Sequence, residues 1–300
     1  MTDNFRGILA ILASSAGFVV NDAIVKVVSA ELPNSQIIVI RGVMATLILG
    51  TAMFMTRGWR SPRVLLTPPM LVRLIASAFA TLFIVAALRH LPLASVSAIL
   101  QVTPLAVTAG AALMLGSHVG WQRWTASIVG LAGVMLIIKP GTASFVPEAW
   151  IAMVAVVFTA TRDLATRFVD HAVPSLLIAA ASSLMVTIGG LCLMPFEVWV
   201  APSHKSLLLL AGASSALYFA YYFGVVGMRV GEIPVVAPFR YSLVLLALLL
   251  GYLIWGHVPD ALSFAGIAVV VLAGLYLLHR EQAVARAARR QTQLAQRSAT

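Results

Sequence analysis

Several ionisable side chains stand where an apolar sequence should not carry them: Asp22, Arg41, Arg162, Asp163 and Arg240 each lie several residues inside a hydrophobic run. An ionised group at the centre of a bilayer costs about 2.5 to 3.5 kcal/mol on insertion scales. A run of about 20 apolar residues, gaining roughly 0.3 to 0.6 kcal/mol each, offsets one such group but not several. These side chains must therefore face one another, water or a bound solute. Asp22 with Lys26, and Asp163 with Arg167, have the i, i+4 spacing that lets opposite charges meet on one helix face. An ion pair of that kind would explain both carboxylates without any solute. Arg41 and Arg240 have no carboxylate at helical spacing, so they call for a cross-helix partner, backbone carbonyls, water or the carboxylate of a solute.

Two further polar stretches invite the same reading. Ser97, Gln101 and Thr103 precede Pro104, and Pro238, Phe239, Arg240, Tyr241 and Ser242 form the corresponding stretch later in the chain, where Gln101 aligns with Tyr241. Small hydroxyls in apolar helices often bond only their own backbone, so Ser97, Thr103 and Ser242 carry less weight than Gln101. Tyr218, Tyr221 and Tyr222 are spaced i, i+3, i+4 and place three phenols on one face. They could wall a pathway for an apolar or aromatic solute, or anchor a helix at the membrane interface. Other chemistries find no support. There is no His-Glu-x-x-His, no Gly-x-Ser-x-Gly and no Gly-x-x-x-x-Gly-Lys-[Ser/Thr], which argues against ATP-driven pumping by this chain alone. His90, His118, His171, His204, His257 and His279 show no ligand-like spacing, and Cys192 is the single cysteine. No metal, cofactor or catalytic residue is expected.

The elements that must position these residues follow from composition. The 300 residues are 61% hydrophobic and 10% charged, against about a quarter charged in soluble domains. Mean hydropathy is +0.98. Apolar spans are predicted near 7–29, 35–56, 71–89, 93–115, 122–139, 148–168, 175–195, 205–228, 233–255 and 261–279, each long enough for roughly 30 Å of hydrocarbon. The expectation is an all-α integral membrane protein of ten spans. The first span, interrupted by Asn21, Asp22 and Lys26, reads as a retained helix rather than a signal peptide. A net charge of +10 raises the question of nucleic acid. Yet with a cytoplasmic N-terminus the inside segments receive Arg6, Arg57, Arg60, Arg63, Arg73, Arg123, Arg167, Arg229, Arg280, Arg286, Arg289, Arg290 and Arg297, and the outside segments only Arg89, Lys139 and Lys205. That bias is a topology signal: both termini are expected in the cytoplasm, residues 281–300 as a basic tail, and no nucleic-acid partner.

Sliding the chain along itself by 140 or 141 positions brings like residues together in order. Asn21-Asp22 falls on Arg162-Asp163, Lys26 on Arg167, Pro33 on Pro174, Arg89 on Arg229, Gly116 on Gly256, and Leu131-Ala132-Gly133 on Leu272-Ala273-Gly274. The expected domains are a first five-helix repeat, 1–140, and a second, 141–280. An odd number of helices in each turns the second upside down, which places a pathway between the halves near the midplane.

Certain strings also resemble a known family: Asn-Asp-Ala-Ile-Val-Lys at 21–26, Arg-Gly at 41–42, Ala-Pro-Phe-Arg-Tyr at 237–241, Gly256-His257-Val258-Pro259-Asp260, and Gly-Leu-Tyr-Leu-Leu-His-Arg-Glu at 274–281. Together with the spans and the repeat they are similar to the EamA type of the drug/metabolite transporter superfamily, over nearly the whole chain, and most of all to exporters of neutral and aromatic amino acids. The resemblance implies a monomeric inner-membrane carrier exporting small metabolites by alternating access, with the bilayer and a small-molecule substrate as partners. Carriers of S-adenosylmethionine share much of the pattern, and an intramembrane lipid-modifying enzyme is the alternative of another class. Ser117 and His257 stand where the family often has a glutamate after the glycine, so a coupling role for that residue does not carry over. A facilitative or weakly coupled carrier is the expectation.

Overall fold

The computed structural model describes residues 3–55, 62–115, 121–139, 147–166, 168–170, 173–230, 236–277 and 279, and every regular element among them is helical. The helices are α1 (Asp3–Val28), α2 (Asn34–Met55), α3 (Pro68–His90), α4 (Leu93–Leu100), α5 (Thr103–Leu115), α6 (Trp121–Ile138), α7 (Ala149–Thr166), α8 (Ser175–Leu193), α9 (His204–Val230) and α10 (Ser242–Trp255), followed by α11 (Ala261–Leu277). Of these, α1, α2, α3, α7, α8 and α9 are long and apolar enough to cross a bilayer, while α4 running into α5, α6, α10 and α11 supply shorter apolar stretches. Three long spans followed by two short ones occur twice in the chain. The basic tail and Ser117 lie outside the described residues, as does Arg167, the expected partner of Asp163.

The predicted fourth span is broken in two, and local chemistry says why. Pro104 has no N–H to offer the Leu100 carbonyl four residues back; the Thr103 hydroxyl donates to it instead, at 2.6 Å. The ninth span is interrupted at the matching place, where Pro238 sits in a 3-10 turn, Ala237–Tyr241, that leads into α10. Helices broken at corresponding points of two halves often mark the binding region of a carrier.

The longest packing seams run between α1 and α9, α2 and α8, and α3 and α7; α2 also meets α9, α3 meets α8, α1 meets α10, α5 meets α7, and α4 meets α10. When each predicted span is exchanged for the one five further along, every one of these pairings maps onto another or onto itself. Small residues set the distances. A Cβ added to Gly266 on α11 would stand 2.6 Å from the Gly133 carbonyl oxygen of α6, so two glycines let these backbones touch, as membrane helices require when dispersion replaces the hydrophobic effect. The outward face is apolar: Leu47, Phe54, Leu245 and Leu272 are largely exposed, a surface suited to lipid.

One end of the bundle is tied across. Glu31, just past α1, accepts from Ser203 N (2.9 Å) and from the Ser203 and Ser206 hydroxyls at the start of α9. Glu197 caps α2 through Ser35 N at 2.7 Å, and Gln36 and Val200 bond each other twice. The Ser206 hydroxyl first, and then Ser203, hold the Glu31 carboxyl below its ordinary range. At the same end Lys139, past α6, pairs with Asp260, ahead of α11, at 2.5 Å. The hydrogen bond from Lys139 is the largest cause of an Asp260 pKa of about 2.

Candidate functional site

Helices α1 and α2 form the first charged layer. Arg41 is buried on α2 and its Nη1 donates to Asn21 Oδ1 on α1 at 3.1 Å. Asn21 Nδ2 then donates to Asp22 Oδ1 at 2.8 Å. The amide presents its oxygen to the guanidinium and its NH2 to the carboxylate, so one neutral side chain satisfies both charges. Ser214 on α9 donates to the Arg41 carbonyl at 3.2 Å and to its own Leu210 carbonyl at 2.9 Å. Lys26 does not pair with Asp22 as its spacing suggests. Pro92 forces Leu91 into extended backbone and ends α3, which leaves carbonyls without helical partners. Lys26 Nζ reaches across to two of them, Leu88 O at 2.8 Å and Leu91 O at 2.7 Å, and lies 5.6 Å from the centre of the Trp255 ring.

The second layer lies between α3, α7, α8 and α9. Arg162 donates from Nε and from Nη2 to Asp163 Oδ1, both at 2.8 Å, so Asp163 pairs with its chain neighbour. Arg73 on α3 donates from Nε to the Thr166 hydroxyl oxygen (2.9 Å) and from Nη1 to that of Ser182 (2.6 Å). Tyr221 on α9 stands between the layers, edge-on to Phe18 at 5.3 Å and in electrostatic range of Arg41, Arg73 and Arg162. Phe158 stacks on Phe79 and Phe83, at 5.0 and 5.6 Å, to give the α3–α7 seam an aromatic wall. The two layers are related in sequence. Arg73 with Ser182 and Ser214 with Arg41 are the same helix crossing under an offset of 141 residues, with the arginine on opposite partners.

A third polar contact joins the two helix breaks: Gln101 Nε2 donates to the Arg240 carbonyl at 3.2 Å. The Arg240 side chain is exposed, as is much of Phe239, and no described contact joins either to the charged layers. Ser97 is buried on α4. Tyr241 does not join Gln101; it is buried with its hydroxyl pressed on Gly274 of α11, where a Cβ would overlap the phenol. Ser242 Oγ is buried without a partner among the described residues. Tyr218 packs on Phe219 and Tyr222 on Phe223, and Tyr222 is more than half exposed. Arg73 was absent from the sequence-derived site, and Tyr221 entered it as one of three phenols on a helix face, with no link to the arginines. Arg73 reads as a topology charge at the edge of a span, and only the third dimension shows its hydroxyl partners. Among the described residues no group of three His, Cys, Asp or Glu side chains could hold a metal ion.

Comparison with known proteins finds relatives among membrane transporters. Residues 5–139 match the EamA-like transporter family. An S-adenosylmethionine uptake transporter of Rickettsia prowazekii is 25% identical over 194 residues, 64% of this chain and 65% of that protein, a little under two thirds of its length. A pseudopaline exporter of Pseudomonas aeruginosa is 29% identical over 281 residues, 90% of this chain and 95% of the relative. A riboflavin transporter of Vibrio cholerae is 28% identical over 186 residues, 61% of this chain and 62% of the relative. These named cargoes do not single out aromatic amino acids. One solved crystal structure shares the fold with a TM-score of 0.59 at 21% identity, covering 93% of this chain and 98% of that one. The apolar bundle and the charge inside it mark a multi-pass membrane protein, and the match over residues 5–139, less than half of the chain, makes it similar to EamA-like transporters.

Proposed function

We propose that this protein is an inner-membrane carrier that exports amino acids or amino-acid-derived metabolites by alternating access between two inverted five-helix halves, residues 1–140 and 141–280, with ten crossings and both termini in the cytoplasm. The observation that carries this reading is the pair of charged layers within an apolar bundle, at Arg41–Asn21–Asp22 and at Arg73–Arg162–Asp163. Guanidinium and carboxylate side by side complement the two charges of a zwitterion, and Phe18, Tyr221 and the Phe79–Phe158–Phe83 stack offer apolar surface to its side chain. The packing seams, which interchange when each span is replaced by its counterpart, support two comparable halves. The pseudopaline exporter, matched over 90% of this chain, supports the outward direction.

A second reading, S-adenosylmethionine as cargo, is favoured by the Rickettsia relative, and that solute too carries an amino-acid end. The test is uptake into liposomes holding the purified protein, using radiolabelled neutral and aromatic amino acids with S-adenosylmethionine and a purine as competitors. Saturable uptake of an amino acid, lost in Arg41→Ala, supports the first reading. Transport of S-adenosylmethionine alone moves the protein to the second, and no transport of any of them refutes both.

A further inference from the structure

Charge in the two layers does not balance. Asp22 answers Arg41 through the Asn21 amide, Asp163 answers Arg162 directly, and Lys26 is taken up by the end of α3. Arg73 has neither a carboxylate relayed to it nor the carbonyls of a helix end; among the described residues it bonds two hydroxyls. Thr166 gives its hydroxyl proton to the Arg162 carbonyl and Ser182 gives its own to the Ile178 carbonyl, both at 2.7 Å, so each turns a lone pair to Arg73. The contacts fix the fork but do not neutralise it. A guanidinium has five N–H groups; the two hydroxyls occupy one on Nε and one on Nη1, which leaves both on Nη2 and one on Nη1 without a partner among the described residues. That is the donor geometry for a carboxylate. The nearby charges sharpen the need: Arg162 repels, while the Asp163 that attracts is already committed to Arg162. An unmatched cation beside an apolar phase is costly, and a solute anion removes the imbalance.

We infer that Arg73, oriented by Thr166 and Ser182, is the anion-receiving residue of the pathway, and that solutes must present a carboxylate or equivalent anion to it. The inference rests on the carrier reading and deepens it by fixing which end of the solute the α3–α7–α8 layer binds. Tyr221, in electrostatic range of Arg73 and of Arg41, stands where an anion passing between the layers would be handed on. Thr166 and Ser182 are positioning residues.

The experiment is competition in liposomes. Uptake of a labelled amino acid, or of labelled S-adenosylmethionine if that is what the protein takes up, is challenged with the unlabelled compound and with its carboxamide. Wild type should be inhibited by the acid and hardly by the amide. Arg73→Ala should raise KM for the acid roughly tenfold to a hundredfold and close the gap between acid and amide. Arg73→Lys, which keeps the charge and loses the fork, should fall between them, and Thr166→Val with Ser182→Ala should raise KM with little change in kcat. If wild type transports but Arg73→Ala still prefers the acid, the assignment to Arg73 is wrong and the carrier reading stands. Equal inhibition of wild type by amide and acid removes the anion requirement, again leaving the carrier. Loss of folded protein in Arg73→Ala is judged by gel filtration, and Arg73→Lys then decides: discrimination identical to wild type overturns the inference. Uptake of neither solute by wild type overturns the carrier reading and this inference with it.

Discussion

Replacing Lys26 by Met keeps the length and apolar stem of the side chain and removes its ammonium. Two hydrogen bonds are lost, to Leu88 O and Leu91 O. Hydrogen bonds to a charged group contribute about 1.5 to 3 kcal/mol each, and the contact with Trp255 adds about 0.5 to 1 kcal/mol. Against this, the half-buried ammonium no longer has to be desolvated, which returns part of the loss. A net destabilisation of about 2 to 4 kcal/mol remains, because Pro92 leaves no N–H to take over from Lys26 at the end of α3. At roughly 2 to 4 °C per kcal/mol for chains of a few hundred residues, the temperature at which half the detergent-solubilised protein survives heating should fall by roughly 4 to 16 °C, read by gel filtration of heated samples. Lys26→Arg should retain most of the stability, since a guanidinium reaches both carbonyls. A double-mutant cycle with Trp255→Leu should show coupling of a few tenths to about 1 kcal/mol. A fall of less than about 2 °C for Lys26→Met would mean that solvent or lipid headgroups satisfy these carbonyls equally well, and the account of the α3 terminus would be wrong.

Gly274→Ala should destabilise by about 1 to 3 kcal/mol, because its Cβ overlaps the Tyr241 phenol; Tyr241→Phe in the same chain should recover part of that, and an unperturbed melting curve for the single variant would place the ring elsewhere. Asn21→Leu strips the bridge between Arg41 and Asp22 and should lower liposome uptake about tenfold or more with the protein still monodisperse; uptake equal to wild type would show that the first layer needs no bridge. Asp260 is held at about 2 in the folded protein, below its ordinary 3.8. A depressed carboxyl contributes stability above its unfolded pKa and loses it as pH falls through the folded one. Heat resistance of wild type should therefore drop faster than that of Asp260→Asn between about pH 4 and about pH 2, and parallel curves would refute the pairing.

Hydropathy located the helices because an apolar run of some 20 residues has few other fates, and the positions of Asp22, Arg41, Arg162 and Asp163 inside such runs marked them as charges in need of partners; of the four, Arg41 is buried and the others are half-buried. What hydropathy lacks is partners. Asp22 and Lys26 have the right spacing for an intrahelical pair, yet Pro92, sixty-odd residues on, creates a stronger demand for the ammonium. Asp163 finds Arg162 beside it. Tyr241 aligns with Gln101 along the chain, but Gly274 opens a slot on α11 that takes its ring, a pairing visible only once α10 and α11 are in contact. Arg73 was hidden for a related reason: near the edge of a span a basic residue serves as a topology anchor, and nothing in its neighbourhood along the chain points to Thr166 or Ser182.

The departures at Lys26 and Tyr241 share one cause, which bears on the proposed pathway. Each residue with a strong local alternative was drawn away from the centre by an unsatisfied backbone group or a glycine slot, while those that remain between the helices are those that no local group can satisfy. Arg41 reaches Asp22 only through an amide, and Arg73, among the described residues, bonds two hydroxyls whose protons are already given away. A carrier needs such residues. A charge fully neutralised by the protein gains nothing from the solute, whereas a guanidinium held in place but left unneutralised binds an anion without first breaking an ion pair. The offset of 141 that relates the Arg73–Ser182 and Ser214–Arg41 crossings puts one guanidinium in each layer; on the proposed reading a solute anion released by Arg73 next meets Arg41, which Asp22 offsets through an amide, with the Tyr221 phenol between them.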